Sequence, residues 1–141
     1  MLRNLTYNDR EIKKEMETLV GKPYSIPNRL KMKGTGSPKY VIKNASDSIM
    51  DKLNMDNNLN YSSIELRPGG IIVSFRSLLE TYGWILPFDK FSIKFLSGTY
   101  EIRSGKEYLI IENTLRFKTA ERFLKKIIYY QNHFIVTNSI S

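Results

Sequence analysis

Near Tyr61 the spacing of apolar residues changes from the 3.6-residue period of helices to the 2-residue period of strands, and nothing else in the chain restricts its fold so strongly. Upstream, Ile12, Met16, Leu19 and Val20 fall at i, i+4, i+7 and i+8, one helical stripe that Asn8 can cap and Gly21 can end. Downstream, Ile64 and Leu66 alternate with Glu65 and Arg67. Ile71, Val73 and Phe75 alternate with Ser74 and Arg76, and Tyr100 and Ile102 with Glu101 and Arg103. Further strands are expected over residues 81–86, 91–96 and 108–111, with Phe91, Ile93 and Phe95 facing one way. Arg67-Pro68-Gly69-Gly70 reads as a type II turn whose glycine supplies a positive φ, and Ser104-Gly105-Lys106 as a tight turn. The pattern gives six strands, and residues 40–42 add a seventh.

Most of these strands carry one polar side, which argues for an antiparallel sheet with one wet face and against a doubly wound parallel sheet. The expected class is α+β: a strongly bent antiparallel sheet or partly open barrel of six to seven strands, with three helices, in one domain of 141 residues. An N-terminal helix occupies residues 1–21. Residues 22–60 follow as a basic loop, a short strand and a short helix, the last capped by Asn44 or Ser46 with Ile49, Met50 and Leu53 inward. Residues 22–38 hold three of the five prolines, so a loop with one brief strand is the expectation there. The strands fill residues 61–112. A C-terminal helix over residues 113–131 places Phe117, Ala120, Phe123, Leu124, Ile127, Ile128 and Tyr130 on one arc, against Lys118, Arg122, Lys125 and Lys126. Residues 132–141 lack a clear period and read as a frayed tail or an added edge strand.

Three stretches, IELRPGGIIVSFR, TYGWILPFDKF and FKTAERFLKKI, resemble bacterial pleckstrin-homology-like (PH-like) domains over roughly residues 61–130. The resemblance implies a strand meander whose open end is plugged by the final helix. The chain also resembles a bacterial protein family sharing the IELRP-G-I-V-F-R and ET-Y-W-P pattern, a likeness that implies no activity. Phosphoinositide-binding PH-like domains place basic residues in the loop joining their first two strands. Here that stretch carries Asp47, Asp51 and Asp56, so no headgroup site transfers.

Catalytic inventory is thin. The absence of cysteine removes disulfides, thiolate zinc sites and thiol nucleophiles, and fits a reducing compartment. The one histidine, His133, sits in the poorly patterned tail, and the carboxylates are scattered. Asp56–Asn60 imitates the start of an EF-hand loop, but Tyr61 replaces its glycine and Arg67 its bidentate glutamate; Gly34-Thr35-Gly36 reads as a turn. No metal, cofactor or enzymatic activity is expected. Lacking a secretory h-region and any 18-residue apolar run, the chain is read as cytoplasmic, without a transmembrane segment.

Charge is more informative. The formal net charge is +8, and residues 21–46 contribute Lys22, Arg29, Lys31, Lys33, Lys39 and Lys43 without one acid. The terminal helix adds Lys118, Arg122, Lys125 and Lys126, with Tyr129 on the same arc as a stacking partner. Solvated charge explains such faces by default; a salt-sensitive anionic partner becomes plausible if the two segments meet in space. Tyr82, Trp84 and Leu86 share a strand face beside Gly83, either as core or as an apolar groove at a rim. The first functional reading is a non-catalytic module holding a protein or peptide partner or an anionic ligand; the alternative is nucleic-acid binding through residues 22–43 and the last helix.

Overall fold

The computed structural model describes residues 1–53, 60–77, 80–114 and 118–139. The chain runs through β1 (Leu2–Asn4), α1 (Arg10–Val20), α2 (Ile26–Lys31), β2 (Tyr40–Ala45) and α3 (Asp47–Met50). There follow β3 (Tyr61–Arg67), β4 (Gly70–Ser77), β5 (Glu80–Pro87), β6 (Ser92–Phe95), β7 (Tyr100–Ser104), β8 (Glu107–Asn113) and α4 (Lys118–Ser139). Among the described residues the strands form one open antiparallel sheet of eight, ordered β1-β5-β4-β3-β2-β8-β7-β6. Seven strands lie where the alternation places them. The eighth, β1, has only three residues, too few to show a period, and pairs Leu2 with Trp84 and Asn4 with Tyr82.

Chain connectivity forces this sheet to curl. β5 and β6 stand six places apart, at least about 29 Å in a flat sheet with strands about 4.8 Å apart. Yet only residues 88–91 join them, and five Cα steps reach at most about 19 Å. Bending brings the two strands toward each other, and any pairing between them would be parallel, because an even number of antiparallel steps separates them. Parallel neighbours need a crossover of about a dozen residues or more, so this link cannot pair them and a seam stays open. Across it lies α4, whose Gln131 Nε2 donates to the carbonyls of Phe88 (2.9 Å) and Phe91 (2.6 Å), within the link itself.

One core fills the concave side. Ile64, Leu66, Ile71, Val73, Trp84 and Leu86 join Ile102, Leu109 and Ile111 from the other half of the sheet, and Phe123, Leu124 and Ile127 of α4 complete it. Tyr40 is fully buried among them, its hydroxyl donating to the Ala120 carbonyl at 2.7 Å. Within the same core, Ile49 and Leu53 are buried as expected.

Several expectations change. The convex face is not wet throughout: Met16, Leu19 and Val20 of α1 cover Ile72 and Ile85. Consecutive apolar residues at 71–73 and 84–86 mark where both faces are covered. Arg67 belongs to the buried set, donating to the Gly21 carbonyl (2.8 Å) and to Glu65 (2.7 Å). Asp9, not Asn8, caps α1, accepting from the amides of Glu11 and Ile12. Residues 22–38 hold a short helix in place of a strand, and residues 132–139 continue α4, with Phe134 packed 5.3 Å from Phe88. Phe117 and residues 56–59 of the Asp/Asn-rich run lie outside the described residues.

The β3–β4 turn is also not type II, since neither Gly69 nor Gly70 takes a positive φ. Space is the reason for glycine there. The Gly69 amide donates to the Val20 carbonyl at 2.7 Å, and a Cβ on Gly70 would lie 2.2 Å from the Leu86 oxygen. Gly105, by contrast, does use positive φ (59°) in its two-residue hairpin. Gly70→Ala is therefore expected to cost about 3 kcal/mol, the upper end for overpacking, read as a lowered denaturant midpoint at unchanged m-value.

Candidate functional site

Local sequence builds α2 from both ends. Ser25 caps it, its Oγ accepting from the Asn28 amide, and Pro27 occupies the first turn, where a missing N–H costs nothing. At the other end Lys33 takes φ 60° and Gly34 φ 97°, while the Gly34 amide donates to Arg29 O (2.8 Å) and the Lys33 amide to Leu30 O (3.2 Å). These two bonds form a Schellman motif with lysine, not glycine, in the left-handed position. Beyond it the chain is stitched to β3: the Leu66 amide donates to Thr35 O (2.7 Å) and the Ser37 amide to Ile64 O (2.8 Å).

Lys126 joins this segment to α4. Its Nζ donates to the carbonyls of Met32 (2.8 Å), Gly34 (3.1 Å) and Lys33 (3.4 Å), and stands 5.6 Å from the Phe123 ring centre. Burial, reinforced by the charge of Lys33, pulls its pKa below that of a free lysine. The two basic segments thus meet, and Lys126 leaves the solvated arc expected of it to serve as the clamp.

The other candidate cations divide by their surroundings. Lys22, Arg29, Lys31, Lys33, Lys39, Arg122 and Lys125 are exposed. Arg29 also donates through Nε to the Tyr24 carbonyl. Lys43 stands apart on β2 against Glu112 at 3.5 Å. Lys118 begins α4, and its side chain lies outside the described residues. Tyr129 is 66% exposed, edge-on to Tyr130 at 5.5 Å. Trp84 and Leu86 are buried core; Tyr82 alone of that row reaches the rim, stacked on Phe75 at 5.8 Å. Gly83 marks a close approach, since a Cβ there would meet Leu5 Cδ1 at 2.5 Å.

Two features escaped the alternation pattern. Ile26 and Leu30 stand on one face of α2, 71% and 76% exposed. Ser25 followed by Pro27 is the helix-start signal that could have revealed that face. A cavity of about 280 Å³ also opens between Tyr24, Phe88, Tyr130 and Phe134, with His133 in its lining. His133 has no carboxylate among the other lining residues. Among the described residues no three of His, Cys, Asp and Glu are placed to hold a metal, and no helix is long and apolar enough to cross a membrane. No protein-family model, curated protein or solved structure matches this chain.

Lys126→Met removes a charged donor from three carbonyls, and is expected to cost about 2 kcal/mol and to speed amide exchange over residues 32–37. Elsewhere, at the start of β8, Glu107 accepts from Ser46 Oγ (2.5 Å) and Ser48 Oγ, which hold its carboxyl below the ordinary 4.5. A depressed carboxylate stabilises the fold above that ordinary value, and the contribution is lost as pH falls through the depressed one. With Ser46→Ala and Ser48→Ala together, the carboxyl resonance of Glu107 should titrate upward, toward the ordinary range, in an NMR pH series.

Proposed function

We propose that the protein is a small non-catalytic binding domain of PH-like layout that holds an anionic partner on the basic seam between α2 and α4. The observation that carries this reading is the Lys126 clamp, which sets the segment bearing Arg29, Lys31 and Lys33 against the helix bearing Arg122 and Lys125. The layout has its own support: a meander of β2 to β5, a second of β6 to β8, a β2–β8 joint, and a helix across the remaining seam. Exposed cations gathered from the two segments, the first of which has no acid between residues 21 and 46, raise the local concentration of polyanions, and the attraction weakens as salt screens it.

Heparin serves as the test polyanion. Its affinity should fall steeply from about 50 to 200 mM salt. Changing Lys31, Arg122 and Lys125 to Gln and Lys33 to Asn, which tolerates the left-handed φ, should weaken binding about tenfold or more. Neutralising Lys14, Lys90 and Lys94 should leave it nearly unchanged. Equal losses from both sets, by titration calorimetry, would refute the assignment of the surface.

A further inference from the structure

Among the described residues α2 is a helix with no buried residue, and it presents two aliphatic side chains one turn apart to solvent. Among the described residues no element covers Ile26 and Leu30, while Tyr24 and Met32 at either end root the helix in the core. We infer that α2 is an interfacial anchor that inserts Ile26 and Leu30 into the surface of an anionic lipid bilayer while the cations around it hold the lipid charge. This rests on the anionic-partner reading and names the partner.

Charge complementarity selects the occupant. No acid lies between Glu17 and Asp47, and Arg29 and Lys31 flank Leu30 directly. A surface that attracts this helix therefore carries negative charge next to apolar material, which is the composition of an anionic bilayer's headgroup and acyl boundary. Two side chains on a six-residue helix are also far short of the roughly 800 Å² per partner that a stable protein interface covers. They suffice for shallow insertion, which needs only about 5–10 Å of depth.

The backbone is equipped for the same environment. Polar groups without partners are costly where water is scarce, and several of those at the ends of α2 have partners. Ser25 Oγ accepts from Asn28, and Pro27 has no N–H to lose. The Arg29 and Leu30 carbonyls accept the Schellman bonds, and those of Met32, Lys33 and Gly34 accept from Lys126. Lys126 thereby has a second consequence: it stiffens the root of the anchor. The contact is one of charge and depth, without a headgroup pocket, so any anionic lipid of equal charge should serve.

The test is flotation with vesicles of phosphatidylcholine containing about 30% phosphatidylglycerol, against phosphatidylcholine alone, at about 100 mM salt, alongside heparin binding. The full chain should float with the anionic vesicles only. Ile26→Ser with Leu30→Ser should weaken vesicle binding about tenfold or more and leave heparin affinity unchanged; circular dichroism confirms that these exposed substitutions keep the fold. In a second readout, Leu30→Trp should show a blue shift of its emission on anionic vesicles, against the constant background of buried Trp84. Vesicle binding unaffected by the serine pair overturns the anchor and leaves the anionic-partner reading standing. Heparin or RNA binding without vesicle binding has the same meaning, with a polyanion as partner. A dimer in sedimentation velocity that the serine pair dissociates assigns the patch to a second copy, again overturning the anchor. Absence of binding to heparin, RNA and vesicles alike ends both.

Discussion

A covalent tether of four residues, 88–91, connects strands that stand six places apart in the sheet, and a ribbon so tethered has to roll. Rolling brings β5 and β6 toward each other, where pairing would be parallel and so short a link cannot allow it. The seam left between them would expose core side chains and the unpaired carbonyls of the link. α4 answers both needs at once, its apolar stripe entering the core while Gln131 accommodates the carbonyls of Phe88 and Phe91. Its position over the seam is thus a consequence of strand order as much as of its own amphipathicity.

Placing α4 there also fixes the surface chemistry. A lysine half-buried against apolar neighbours needs acceptors, and the residues just past α2 supply three carbonyls. The same contact draws one basic segment onto another, accumulating like charges at some electrostatic cost in stability. Exposed neighbours such as Lys31, Lys33, Arg122 and Lys125 relieve that repulsion through solvent screening. α2 is consequently held by its ends alone, with its middle displayed.

Alternation read the strands well because each carries its own period, as at Ile64 and Leu66 or Tyr100 and Ile102, and pairing merely realises it. It read the turn at Gly69 and Gly70 wrongly, since glycine there answers to the approach of Val20 and the Leu86 carbonyl, both distant in sequence. The candidate cations were visible as residue types, but not their division into the clamp Lys126, the ion-paired Lys43 and exposed residues such as Lys31, Lys33, Arg122 and Lys125. Helical spacing assigns Lys126 to the solvated arc of α4, whereas the segment folded against that arc turns it inward. Ile26 and Leu30 were legible as apolar residues; their exposure depends on what fails to cover them.

By itself, the sequence determined the change from helical to extended structure, seven of the eight strands, the buried stripe of α4 and a basic, cysteine-free composition. These are local properties, set by side-chain periodicity within a few residues and by residue type. Tertiary structure alone decided the order of the strands, the cover that α1 lays over Ile72 and Ile85, the meeting of the two basic segments and the display of α2. Each of these joins groups far apart along the chain, and no local pattern encodes which surfaces meet once the polymer has closed on itself.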